Sequence, residues 1–181
     1  MTPPAPPRAW HGLAALGPRP AAAELALSVA AGTGLAWLWV RLDEPWMRLG
    51  VPHPSLDLIG PGGEVLWALI ALRWLAGALL LPVLEELFWR GFVMRRIAGL
   101  ARRAGGPGPV DPRQVGPLAV LASTLGFALT HTEWLATALT GLVCAALYRR
   151  TGKLGCAIVA HAVTQGLVGG WIAVYGHWAY W

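Results

Sequence analysis

EVLWALIALRWLAGALLLPVLEELFWRGFVMRRI, residues 64–97, is the stretch on which the fold turns. It is apolar nearly throughout, and as one straight helix it would run roughly 50 Å, well beyond the roughly 30 Å hydrocarbon core of a bilayer. A break is therefore expected, and Pro82 offers it: one span up to about Leu81, then a kinked continuation through Ile97. That continuation carries Glu85, Glu86 and Arg90 in otherwise hydrocarbon surroundings.

Further apolar runs lie on both sides of this stretch. Ala21 to Val40 is long enough to cross a bilayer, with Arg41 closing it and Asp43-Glu44-Pro45 stopping it. Trp46 to Gly63 holds Pro52, Pro54, Pro61, Gly60, Gly62 and Gly63, the composition of a loop. Beyond residue 97, Leu118 to Thr130 and Trp134 to Tyr148 are two shorter apolar segments hinged around His131-Thr132-Glu133. Leu154 to Tyr175 makes a last span. It ends in Trp171, Tyr175, Trp178, Tyr180 and Trp181, an aromatic cluster of the kind found at membrane interfaces.

Composition agrees with this pattern. Over 181 residues the chain is 56% hydrophobic and 13% charged, where a soluble domain carries roughly 25% charged residues. The expected fold is all-α, a polytopic transmembrane helix bundle of about five spans with a kinked active-site helix. Residues 1–20 read as a Pro-rich leader without the apolar core of a signal peptide, and 21–181 as a single transmembrane domain with a catalytic core from about 64 to 181. The net charge of +5 comes from clusters between spans: Arg95, Arg96, Arg102, Arg103 and Arg113, then Arg149, Arg150 and Lys153. These read as positive-inside residues, not as a nucleic-acid surface, and place the N-terminus inside and the C-terminus outside. Cys144 and Cys156 read as small buried apolar residues.

Ionisable groups inside a membrane are costly, so Arg73, Glu85, Glu86, Arg90, His131 and His161 are functional candidates. Glu86 and Arg90, at i and i+4, share a helix face and can pair; Glu85 points about 100° away and is left free for chemistry. An ionised carboxylate in a low-dielectric site is a stronger base than one in water, which suits a general base. Gln165 lies one turn beyond His161 on the same face. Arg73 is too far along the helix to reach Glu85, and Glu24 or Glu133 are its suggested partners. Glu133 is otherwise a turn residue, while His11, His53 and His177 read as solvated.

Three stretches together resemble a known family. Glu85-Glu86-Leu87-Phe88-Trp89-Arg90 looks like the EExxxR motif of the CAAX-protease and bacteriocin-processing family of intramembrane proteases. Phe127-Ala128-Leu129-Thr130-His131 looks like its FxxxH motif, and His161 like the start of its HxxxN motif. WRGFVMRR, HTEWL and AHAVTQG also resemble the bacterial CAAX-prenyl-protease-related branch associated with exosortase sorting systems. The resemblance implies a protease embedded in the lipid bilayer of a bacterial inner membrane, cleaving a membrane-tethered peptide or protein near the membrane boundary. It implies that Glu85 activates water with help from His131, that Glu86 and Arg90 support them, and that His161 with Gln165 stabilises the oxyanion. Gln165 stands where the family often has Asn. No cofactor is expected; Zn²⁺ held by Glu85, His131 and His161 is the alternative mechanism. A non-catalytic scaffold or immunity-like module, with the same side chains as a structural polar network, is the alternative function. A proton-coupled carrier is a third, weakened by the lack of an inverted repeat.

Overall fold

The computed structural model describes residues 17–50, 58, 60, 62–101 and 110–178. Most of the Pro-rich leader, His11, His53, Arg102, Arg103, Tyr180 and Trp181 lie outside them. Five helices follow one another: α1 (Ala22–Trp39), α2 (Trp67–Ala101), α3 (Pro117–Ala128), α4 (Trp134–Thr151) and α5 (Leu154–Tyr175). By length and composition α1, α2 and α5 can each cross a membrane, while α3 is a shorter apolar helix. The last span has the bounds expected from sequence, α4 starts at the expected Trp134, and the remaining ends differ by one to four residues.

The kink resolves differently from the expectation. The long helix is not interrupted at Pro82; it is rewound. Ala76–Leu80 and Leu87–Met94 are π-wound, and between them Leu81–Glu86 returns to the α pitch. Pro82 has no N–H to offer the carbonyl of Ala78, and the wider turn ahead of it accommodates the ring. Glu85 and Glu86 thus close a short α segment between two π turns.

Small residues decide which helices meet. At Gly32 of α1 an added Cβ would collide with the Ala160 carbonyl of α5 and come within 2.9 Å of Val163. The two helices therefore approach closely there, and Thr164 adds a hydrogen bond from Oγ1 to the Gly32 carbonyl (3.1 Å). Trp74 of α2 donates from Nε1 to the Gly166 carbonyl of α5 (2.9 Å). α4 lies against both α3 and α5, around a core that includes Met94, Cys144, Tyr148, Leu154, Cys156 and Ala160. Leu72, Leu79, Leu118, Leu125 and Val174 point outward and are exposed, as the perimeter of a lipid-facing bundle requires.

The basic segments meet at one end. Arg113 donates to the Thr151 carbonyl (2.6 Å), Arg95 to the Val110 carbonyl (2.8 Å), and Lys153 pairs with Glu24 at the start of α1 (2.6 Å). Glu24, offered above as a partner for Arg73, is thus taken by Lys153. The α3–α4 turn lies at the other end of the 18-residue α4, roughly 27 Å away at the helical rise. At that end His177 is exposed but stacks on Trp171, with ring centroids 4.3 Å apart.

Candidate active site

Four side chains named from sequence converge, drawn from α2, the α3–α4 turn and α5. Their geometry centres on Glu85, which is not free of partners as the helical wheel suggested. Oε1 lies 3.5 Å from His131 Nε2 and Oε2 lies 3.6 Å from His161 Nε2. Both separations exceed an ordinary N–H···O distance of roughly 2.7–3.2 Å, so neither ring holds the carboxylate in a close hydrogen bond, and a small molecule such as water would bind beside each pair, touching both groups, rather than between them.

The far nitrogen of each ring is pinned. His161 Nδ1 is 3.0 Å from Glu86 Oε1, and an ionised carboxylate only accepts, so the proton belongs on Nδ1. His131 Nδ1 lies 3.1 Å from the Phe127 carbonyl and 3.1 Å from Thr130 Oγ1. Thr130 spends its own proton on the Phe127 carbonyl (2.7 Å), so both partners of His131 Nδ1 are acceptors and that nitrogen also carries the hydrogen. In the neutral rings both Nε2 lone pairs then face Glu85. Two lone pairs and one carboxylate converging on a small space make a site for a donor with two protons, or for a cation.

Glu86 and Arg90 sit behind this centre, completely buried. Arg90 Nη1 is 3.1 Å from Glu86 Oε1, a contact of charge rather than of hydrogen-bond direction, since no Arg90 nitrogen makes a directed hydrogen bond among the described residues. The i, i+4 pairing read from sequence is therefore present. Phe127 is the hub: the Arg90 guanidinium lies over its ring at 4.4 Å, and the His131 and His161 rings meet it edge-on at 4.8 Å and 5.8 Å. Gly141 of α4 makes room for this packing, because a Cβ there would come 2.9 Å from Arg90 Nη2 and 3.3 Å from Phe127.

Gln165 lies half-buried one turn beyond His161 on α5; among the described residues it makes no hydrogen bond to the cluster. Thr130 escaped the sequence reading. Its only signal was adjacency to His131, because its role depends on the Phe127 carbonyl at the end of α3, which accepts from the Thr130 N–H (3.2 Å) and hydroxyl (2.7 Å) alike. As for a metal, His131 and His161 each donate through Nδ1 to an oxygen, as metal-ligating histidines do. Among the described residues, however, no three His, Cys, Asp or Glu side chains form a metal-holding group.

Residues 67–167 match the family described as Rce1-like, type II CAAX prenyl endopeptidase Rce1-like. No curated protein and no solved structure matches the chain. The matched span is more than half of the 181 residues and contains the whole Glu85–Glu86–Arg90–His131–His161 set. The chain belongs to this family: it is a membrane-embedded protease acting on peptide bonds, with a peptide or protein substrate.

Proposed function

We propose that this protease is of the glutamate type, with Glu85 and His131 activating water and no metal taking part. What supports the reading is the convergence on the Glu85 carboxylate of two ring nitrogens, at 3.5 Å and 3.6 Å, each an Nε2 whose ring is fixed from the far side. Water placed there donates one proton to the Glu85 carboxylate and the other to His131 Nε2. As its oxygen attacks the scissile carbonyl carbon, Glu85 takes the first proton and the carbonyl becomes a tetrahedral oxyanion. His161, when doubly protonated, presents Nε2–H to that oxyanion, and the Gln165 amide is the second donor within a turn. Glu85 then returns its proton to the departing amine as the C–N bond breaks. Glu86 and Arg90 hold His161.

The substrate in this reading is a membrane-tethered peptide or protein, and the membrane a bacterial inner membrane with the basic end inside. An exosortase-type sorting system as partner rests on the WRGFVMRR, HTEWL and AHAVTQG resemblance alone. The alternative mechanism uses the same three side chains as ligands of Zn²⁺, which would supply a metal-bound nucleophile. The test is cleavage of a membrane-tethered fluorogenic peptide by the purified chain in lipid nanodiscs, with metal content measured on the same sample. Activity that survives chelation at a metal content far below one per chain, and is lost in His131→Ala, is the expected result. Activity that vanishes on chelation and returns with zinc replaces this reading with the metalloprotease. A well-folded chain that cleaves none of a panel of tethered peptides favours the scaffold.

A further inference from the structure

His131 stands in a turn, where Glu85, Glu86, Arg90 and His161 stand on helices. α3 has 12 residues, roughly 18 Å of helix against a hydrocarbon core of roughly 30 Å. The turn that follows, residues 129–133, is irregular backbone set between α3 and α4. Irregular backbone keeps one shape where its polar groups find partners outside regular structure. Within the turn, His131 N–H bonds to the Ala128 carbonyl (3.1 Å) and Trp134 N–H to the Thr132 carbonyl (2.9 Å), both short-range contacts.

Such partners come from the connector after α1. Pro45–Met47 makes one 3₁₀ turn, Asp43 and Arg48 form an ion pair across it, and the chain then lies against the α3–α4 turn. Leu49 N–H donates to the Thr132 carbonyl (2.7 Å), one residue beyond His131. The Trp134 indole donates from Nε1 to the Trp46 carbonyl (3.0 Å), three residues beyond it. Both bonds join segments more than 80 residues apart, and they tie the connector to the downstream side of the His131 turn.

We propose that residues 43–50 are a clamp that sets the position of His131, and that Trp134 is a positioning residue for the reaction, acting through His131 without touching the reacting atoms. This rests on the peptidase reading, in which His131 must stay within one water of Glu85. Anchoring at Phe127 and Thr130 holds the ring from the α3 side. The clamp holds the same turn from the α4 side, so that the 3.5 Å gap to Glu85 is fixed at both ends.

The test uses Trp134→Phe in the full chain in nanodiscs, which keeps an aromatic ring and removes the indole donor. A fall in kcat of about 10- to 100-fold is expected, since displacements near 1 Å have effects of that order, with KM within about twofold. The ¹⁵N signals of the His131 ring should also lose the fixed Nδ1–H form. Trp67→Phe, at an exposed position on α2, is the control and should match the wild type. Wild-type kcat together with wild-type ring signals in Trp134→Phe overturns the clamp. If the wild-type chain cleaves nothing, the peptidase reading fails, and the ring signals still decide the clamp by the same criterion. If Trp134→Phe does not fold, hydrogen exchange on the wild type decides: a Leu49 amide that exchanges as fast as an open loop overturns the proposal, and a protected one upholds it.

Discussion

Two halves of one site differ in almost every physical respect. On the inner side Glu86, Arg90 and His161 are at most 1% exposed, with their polar atoms 3.0–3.1 Å apart. On the outer side Glu85 and His131 are 22% and 25% exposed and stand 3.5 Å apart. Adjacent carboxylates in the sequence thus have opposite environments. The inner half is sealed from solvent, with Glu86 Oε1 shared between Arg90 and His161. The outer half is partly exposed, and its groups stand farther apart. The proposed mechanism asks the site to hold its geometry in a membrane and still admit water, and assigns the two tasks to the two halves, with His161 bonded to one carboxylate and facing the other.

The sharpest way to break this contrast is to neutralise each carboxylate in turn. Glu85→Gln should lower cleavage by about 10²–10⁴-fold, the usual contribution of a general base, with thermal unfolding in detergent unchanged. Glu86→Gln should leave Arg90 charged and uncompensated in the interior and destabilise the protein by about 3–5 kcal/mol. Equal effects of the two changes on either measurement would show that the halves are not distinct. A smaller effect is expected at Gly141→Ala, where the added methyl meets Arg90 and Phe127. Overpacking of this kind costs about 1–3 kcal/mol, read as a lowered unfolding temperature; an unchanged one would mean that the inner half is loosely packed. The smallest is Thr130→Val, which removes one oxygen partner of His131 Nδ1 and the hydroxyl donor to Phe127. A single neutral hydrogen bond contributes about 1 kcal/mol, so kcat should fall by roughly fivefold at unchanged stability. A larger drop in stability than in rate would place Thr130 in the inner half instead.

Much of this was legible before any coordinates. Windows of apolar residues located the helices to within a few positions, because the requirement to cross hydrocarbon is a property of each segment by itself. The rarity of ionisable groups in those windows singled out Glu85, Glu86, Arg90, His131 and His161, because the cost of burying charge does not depend on which helix lies next door. The i, i+4 relation of Glu86 and Arg90 was likewise local.

Helix phase and the approach of distant segments were not legible. Pro82 signalled a break, yet the chain answered with two π-wound stretches that keep α2 continuous, the wider turn taking up the proline ring. Glu85 seemed free on a helical wheel, but His131 and His161 flank it because α5 and the α3–α4 turn pack onto α2. The bond between His161 and Glu86 joins residues 75 positions apart, and the connector after α1 reaches the His131 turn over a still longer separation. Hydrophobicity and charge cost are sums over neighbours in the chain, so the sequence alone determined a membrane helix bundle with a small set of expensive polar residues. Which of those residues face one another, which carboxylate is sealed and which is left partly exposed depend on side-chain volumes meeting across helices, and only the tertiary structure decided them.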